Sequence, residues 1–298
     1  MAKRLETQLK NASQIKSVLK QVPISWKLNG RQIKTLLVYL PINDGVTNHE
    51  SFFELIRDSI LHNFVLSCKE IEQRLGIENP TALEDLFNKA VRKLSRHTAK
   101  GELGELILFT LLDVYFKAPK LLSKVSLKTA PTVPVFGADS VHGQFDGSDF
   151  KLYLGESKMH KTFISAASKA ITSIESAKER YQHEFDLLDS FMDFPNIDAD
   201  LESQLIDLLN PFSSDDVSEF INSPCFIGFN APELISDAKS EKEFIEAYKE
   251  QAKKMVGSFF NSAEKKGIEI DHTALMILPF SDIDELVDGF IAHMDITQ

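Results

Sequence analysis

The segment Leu152-Tyr153-Leu154-Gly155-Glu156-Ser157-Lys158 has the alternation expected of a β-strand. Successive side chains of a strand point to opposite faces, so Leu152, Leu154, Glu156 and Lys158 share one face and the intervening residues share the other. The apolar face therefore ends in an acid and a lysine two positions apart.

A second acid precedes this strand by the length of one hairpin, in the segment Val135-Phe136-Gly137-Ala138-Asp139. Between the two segments lies Asp146-Gly147, a dipeptide typical of tight turns between paired strands. The pattern predicts that the two segments pair antiparallel. That pairing brings Asp139 beside Glu156.

Two carboxylates and an ammonium group at the end of a half-buried strand are costly unless something binds them. A hard divalent cation held by oxygen ligands would do so, and such a site hydrolyses phosphodiesters. The metal lowers the pKa of a bound water, and the lysine orients or deprotonates that water. The alternative is that Glu156 and Lys158 are ordinary surface charges, since an acid-any-lysine triplet recurs by chance.

A predicted helix from residue 98 or 100 to residue 116 precedes both strands, and its centre is apolar nearly all round. Its first turn holds Glu102 and Glu105, which share one face because they lie three residues apart. These acids either join a metal site, with Glu105 preferred as the deeper residue, or simply favour the positive end of the helix.

Four segments carry a resemblance to a known family. They are Gly101-Glu-Leu-Gly-Glu-Leu-Ile-Leu-Phe109, Ala118-Pro-Lys-Leu-Leu-Ser-Lys-Val-Ser-Leu-Lys-Thr129, Pro134-Val-Phe-Gly-Ala-Asp139 and Leu152-Tyr-Leu-Gly-Glu-Ser-Lys158. They resemble the HamA family of the bacterial Hachiman anti-phage defence system, which is similar to the PD-(D/E)xK nucleases. The resemblance is specific over residues 101–161.

The resemblance implies a restriction-endonuclease-like core, a metal-dependent DNase activity, and a superfamily 2 helicase, HamB, as partner. Asp139, Glu156 and Lys158 take the places of the superfamily's Asp, Glu and Lys, although Ala138 stands where the superfamily's name has Pro. The expected cofactor is Mg²⁺ or Mn²⁺. Its expected ligands are Asp139, Glu156, Glu105 and the carbonyl of Ser157.

The net charge of −11 argues against a protein that binds duplex DNA unaided, because Lys and Arg supply most nonspecific affinity for phosphates. Residues 117–128 nevertheless carry lysines and no acid. We expect the DNA backbone to contact Lys120, Lys124, Lys128 and Lys161. Cleavage should be largely blind to base sequence, since no base-reading motif is present.

Residues 181–238 contain neither Lys nor Arg and are rich in acids, among them Asp215 and Asp216. This stretch either docks a basic partner or covers the nuclease site until it is released. The alternative is that its charge serves solubility.

Strand patterns alternate with helical ones along the chain, which predicts an α/β fold with a mixed central sheet flanked by helices. Residues 33–40 read as a buried strand, and residues 49–76 as one long helix. We divide the chain into an N-terminal strand-plus-helix region (1–95) packed on a nuclease core (96–298), the core carrying an acidic excursion at 183–222.

Several other classes are disfavoured. The N-terminus lacks the apolar centre of a secretory signal, and no apolar run approaches a membrane span, so we expect a cytoplasmic location without membrane contact. Cys68 and Cys225 have no spaced Cys or His companions and are expected to be buried thiols. The absence of a Gly-x-x-x-x-Gly-Lys-Ser/Thr loop means that ATP-driven motion must come from another chain.

Two functions other than a DNase remain open at this stage. One is a noncatalytic adaptor that regulates a helicase. The other is a toxic RNase, because the same metal chemistry cuts DNA and RNA.

Overall fold

A mixed β-sheet forms the centre of the computed structural model, which describes residues 4–76, 81–133, 137–179, 181–193, 199–212 and 219–298. The strands are β1 (Lys20–Val22), β2 (Trp26–Leu28), β3 (Arg31–Tyr39), β4 (Ile42–Asn43), β5 (Val46–Thr47), β6 (Lys120–Leu122), β7 (Ser140–Asp146), β8 (Asp149–His160), β9 (Ile221–Asn230) and β10 (Thr273–Phe280). The main sheet has the order β1-β3-β10-β9-β8-β7-β6, with β2 also paired to β3, and β4 pairs with β5 separately.

The inner strands β3, β10, β9 and β8 run parallel, whereas β1, β2, β7 and β6 run antiparallel to their neighbours. Parallel strands are covered on both faces and therefore read as nearly continuous apolar runs. Every residue of β10 is buried, in keeping with that rule. The predicted mixed α/β sheet is confirmed.

Helices cover both faces of this sheet. They are α1 (Ala12–Val18), α2 (Glu50–Leu55), α3 (Leu61–Val65), α4 (Cys68–Leu75), α5 (Ala82–Val91), α6 (Ala99–Val114), α7 (Phe163–Glu179), α8 (Tyr181–Phe191), α9 (Ala199–Leu208), α10 (Pro232–Ser236), α11 (Glu241–Lys265) and α12 (Ile283–Met294). Helices α1 to α6 and α12 share a core on one face, and α7, α10 and α11 share a core on the other. Helices α8 and α9 pack over the β7–β8 end.

Helix α6 is buried on nearly every side, as its apolar centre predicts. Gly104 lets it approach β8 closely, because a Cβ there would lie only 3.3 Å from Oγ of Ser157. Near the other end of α6, the carboxylate of Asp113 accepts the backbone N–H groups of Gln8 (2.9 Å) and Leu9 (3.0 Å). The N-terminal segment is thereby tied to α6.

Two expectations about the N-terminal region need revision. Residues 49–76 do not form one helix: a π-helical turn (Ile56–Ile60) follows α2, and the chain leaves helical geometry at Leu66. Ser67 and Glu70 then form a capping box that starts α4. The boundary at residue 95 also divides one continuous sheet, since β1 and β3 come from the N-terminal side and β3 pairs with β10.

Cys68 and Cys225 are both buried free thiols, as predicted. Among the described residues, each helix is too short or too polar to cross a lipid bilayer. Asp215 and Asp216, named above as part of the acidic stretch, lie outside the described residues.

Lys120 is the most deeply engaged cation of the lysine-rich segment. Its ammonium group donates to the carbonyl oxygens of Asn63, Phe64 (3.4 Å) and Leu66 (2.6 Å), which lie at the end of α3, and to Oγ of Ser123 (3.4 Å). Burial lowers the pKa of this ammonium group. Lys120 therefore satisfies helix-end carbonyls that have no other donor in the helix.

We predict that Lys120→Met lowers the free energy of unfolding by about 2 kcal/mol or more, because buried carbonyls lose their donor. Urea unfolding followed by circular dichroism measures this. Lys161→Met is the matched control: the Lys161 side chain is 71% exposed, and its loss should cost less than about 0.5 kcal/mol. Equal losses in the two variants would contradict the structural role of Lys120.

Candidate active site

The hairpin of β7 and β8 places Asp139 directly opposite Glu156. Ser140 pairs with Gly155 in antiparallel register, so the residue before β7 faces the residue after Gly155. The turn uses Gly147 at φ +68°, a left-handed conformation that glycine adopts without strain. The predicted turn and the position of Asp139 beside Glu156 are confirmed. The pairing itself begins at Ser140, after the segment 135–139 in which it was predicted, and residues 135 and 136 of that segment lie outside the described residues.

Asp139 is held against β8 by two hydrogen bonds. Its Oδ2 accepts the backbone N–H of Ser157 at 2.8 Å and the Ser157 hydroxyl at 3.1 Å. The ammonium group of Lys158 lies 3.9 Å from the same oxygen and forms an ion pair with Glu156. The structure thus brings the three predicted catalytic residues together at one end of the hairpin.

The electrostatics of this cluster are unbalanced. Burial, and then the charge of Asp139, raise the pKa of Glu156 to about 7 although Lys158 opposes the shift. Burial alone would lower the pKa of Lys158, but Glu156 and Asp139 together raise it. One ammonium group therefore does not cancel the negative charge at this point.

Glu105 and Glu102 line a cavity of about 250 Å³ that also includes Asp139. We call it the Glu105 cavity. Burial, and then the charge of Asp139, raise the pKa of Glu105 well above its usual range. Glu102 is the more deeply buried of the two, contrary to expectation. Its carboxylate already has partners, because it accepts the hydroxyl of Thr98 (2.7 Å) and forms an ion pair with Lys128.

A second cavity of about 470 Å³, the Glu156 cavity, lies on the other side of the loop formed by residues 137–139. Ala138 lines both cavities, so this site loop separates them. Helices α7 and α8 supply most of the wall of the Glu156 cavity, with Thr172, Ser173 and Ser176 from α7 and His183 and Glu184 from α8. Glu156 lines the cavity from β8.

The four lysines expected at the DNA backbone do not form one surface. Lys120 is buried as described, Lys124 forms a buried ion pair with Glu184, and Lys128 pairs with Glu102. In the structure these three lysines therefore present no exposed basic surface, and their contact with DNA stays a prediction. Lys161 is exposed and pairs with Asp284 at 3.2 Å.

The chemistry of the donors fits a hard divalent cation, because Asp139, Glu156 and Glu105 offer carboxylate oxygens. Burial, and then the charge of Asp139, raise the pKa of Glu156 and of Glu105, and a bound cation would favour the ionised form of both acids. In the part of the chain that the structure describes, however, no three His, Cys, Asp or Glu side chains converge on one metal-binding point. The Ser157 carbonyl stays a predicted ligand.

Sequence reasoning missed Ser173 and Glu184. Ser173 forms a side-chain hydrogen bond with Glu156, and Glu184 contacts the site loop. The available signal for Ser173 was the run of small polar residues on the face of α7. For Glu184 there was none, since it lies 46 residues from its partner.

These features define an α/β protein that presents two carboxylates and a lysine at the end of a hairpin strand. The chain belongs to the HamA family, whose model matches residues 15–294. This match covers far more of the chain than the segments that carry the sequence resemblance. Family membership indicates a role in Hachiman anti-phage defence. No curated protein matches the sequence.

We predict that Glu156→Gln stabilises the metal-free protein by roughly 3 kcal/mol at pH 8, because each tenfold change in proton affinity corresponds to about 1.4 kcal/mol. The folded-state pKa is raised, so the stability contributed by protonated Glu156 is present below its ordinary pKa near 4.5 and is lost as the pH rises through about 7. The gain should therefore be small at pH 5. Thermal unfolding at both pH values measures it, and a loss of stability at pH 8 would contradict the charge imbalance.

Proposed function

We propose that the chain is a Mg²⁺- or Mn²⁺-dependent DNase built on a PD-(D/E)xK core, the effector of a two-protein defence complex. The observation that carries the proposal is the convergence of Asp139, Glu156 and Lys158 with more negative than positive charge. The helix that carries Glu105, next to the hairpin, supports the proposed core.

In this proposal Asp139 and Glu156 hold the cation, with Glu105 and the Ser157 carbonyl as further ligands. The bound cation supplies charge neutralisation at the phosphate and a lower pKa for water. Lys158, already 3.9 Å from Asp139, positions the attacking water as a charged donor, because the two acids raise its pKa. The Ser157 N–H and hydroxyl fix the direction of the Asp139 carboxylate.

The burial of Lys120, Lys124 and Lys128 strengthens the argument for a partner. A chain with a net charge of −11, in which the described lysines of residues 120–128 are buried or paired, has weak affinity for phosphates of its own. A HamB-like superfamily 2 helicase would bind the DNA and deliver it. Such delivery needs no base-specific contacts from this chain, so cleavage is largely independent of sequence.

One observation favours the adaptor alternative: Lys158 contacts Glu156 and approaches Asp139, so the three side chains neutralise much of each other's charge without a metal. An adaptor of this kind would keep its function when either acid is removed. Phage resistance of cells that carry Glu156→Ala or Asp139→Ala together with the helicase gene separates the two functions.

We expect the purified chain to nick supercoiled plasmid with Mg²⁺ or Mn²⁺, with the helicase added in a parallel reaction. Glu156→Ala and Lys158→Ala should each lower the rate by about 10²-fold or more, as expected when a metal ligand or a group that positions the attacking water is lost. The matched control is another Glu–Lys ion pair, Glu70 and Lys89, which lies at the surface.

Equal nicking by the wild type and by the Glu156 and Lys158 variants would refute the proposal. The Glu70→Ala and Lys89→Ala variants should keep the wild-type rate. A labelled single-stranded RNA in the same reactions tests the RNase alternative, which requires that RNA, and not plasmid, be cut in a Glu156-dependent way.

A further inference from the structure

A buried carboxylate from the acidic excursion contacts the site loop. Oε1 of Glu184, in α8, accepts the backbone N–H of Ala138 at 2.7 Å. The ammonium group of Lys124 lies 3.0 Å from Oε1 and 2.8 Å from Oε2. The side chains of Glu184 and Lys124 are only 4% and 7% exposed, so this ion pair is almost shielded from water.

The loop is shaped to receive this carboxylate. Gly137 has φ +110°, a conformation that residues with a Cβ rarely adopt. A Cβ at that position would overlap Oε1 of Glu184 and would lie 2.5 Å from Nζ of Lys124. The missing side chain at residue 137 is therefore what allows Glu184 to reach the next amide.

Ala138 is followed by Asp139, which precedes β7 and has no partner residue in the strand pairing of β7 with β8. Glu184 fixes the backbone on one side of Asp139, and Ser157 fixes its carboxylate on the other. We propose that Glu184 is a positioning residue, which sets the place of Asp139 relative to Glu156 and Lys158. The inference rests on the proposed function of that site.

This role differs from the docking or covering role considered for the acidic stretch. Glu184 points inward, donors reach its Oε1, and the ammonium group of Lys124 lies within ion-pair distance of both oxygens, so Glu184 contributes nothing to an acidic outer surface. It also lines the Glu156 cavity, so α8 forms part of the site itself. At this position the acidic excursion supports the candidate active site from within.

The test compares two double variants that both remove the buried ion pair. Lys124→Met with Glu184→Gln keeps an oxygen facing the Ala138 amide, whereas Lys124→Met with Glu184→Met does not. Neither double variant leaves an unpaired buried charge, the usual reason for such variants not to fold. Their difference therefore reports the acceptor alone.

Amide hydrogen exchange resolved to single residues, in metal-free buffer, gives the first measurement. We expect the amides of Ala138 and Ser157 to exchange roughly tenfold faster in the Met variant than in the Gln variant. The Ala138 amide loses its acceptor, and the Ser157 amide keeps an acceptor, Asp139, that is no longer held in place. Asp113→Asn is the control: it changes a buried carboxylate that also accepts backbone N–H groups, but near the other end of α6. It should leave both amides unchanged.

Mn²⁺ titration by calorimetry gives the second measurement, with weaker binding expected in the Met variant than in the Gln variant. Equal exchange at Ser157 in the two double variants would overturn the inference, because Asp139 would then be held without Glu184. Equal Mn²⁺ affinity would overturn it as well. A wild-type protein that binds no Mn²⁺ refutes the proposed function, and the exchange at Ser157 then still decides whether Glu184 positions Asp139.

Discussion

The hydrogen bond from the Ser157 amide to Asp139 sets the geometry of the whole site. Asp139 lies just outside the sheet, where no strand ladder holds it, and its charge repels that of Glu156. The bond from β8 opposes this repulsion at a distance of 2.8 Å. Because Ser157 lies between Glu156 and Lys158 on the same strand, one amide fixes the spacing of all three side chains.

The position of Asp139 beside Glu156 keeps two acids close together, which lowers the stability of the folded protein. Glu105 and Glu156 have raised pKa values because burial, and then the charge of Asp139, disfavour their ionised forms. Structural ion pairs elsewhere in the chain, such as Lys151 with Asp146 or Lys20 with Glu241, instead lower the pKa of their acids. The contrast follows mainly from burial, because Asp146 and Glu241 lie near the surface. The buried carboxyl group of Asp113, near the other end of α6, likewise has its pKa raised by burial to about 6.

The sequence predicts features whose cause is local. Alternation of side chains and an Asp-Gly turn are sufficient for the β7–β8 hairpin, and both signals lie within the hairpin itself. The long helix predicted for residues 49–76 fails for a related reason, because helical spacing continues across Leu66 whereas the backbone does not. The Ser67 and Glu70 capping pattern was the local sign of that break.

Features that depend on distant partners were not accessible. Lys120, Lys124 and Lys128 have no acid nearby in the chain, which favours an exposed basic patch, yet their partners come from α3, α8 and α6 respectively. The same holds for the depth of Glu102, which is set by Thr98 and Lys128 rather than by its place in the helix. A run of like charges in a sequence predicts the charge of a surface only when those side chains are known to face solvent.

The order of the strands also constrains how the protein is made. β10, from residues 273–280, fills the gap between β3 and β9 in the middle of the sheet. During synthesis the first strands must therefore wait, unpaired on that side, until β10 has left the ribosome. The half of the sheet that carries Glu156 and Lys158 joins the half that carries β3 only when β10 is in place, so a product that ends before β10 lacks the completed sheet.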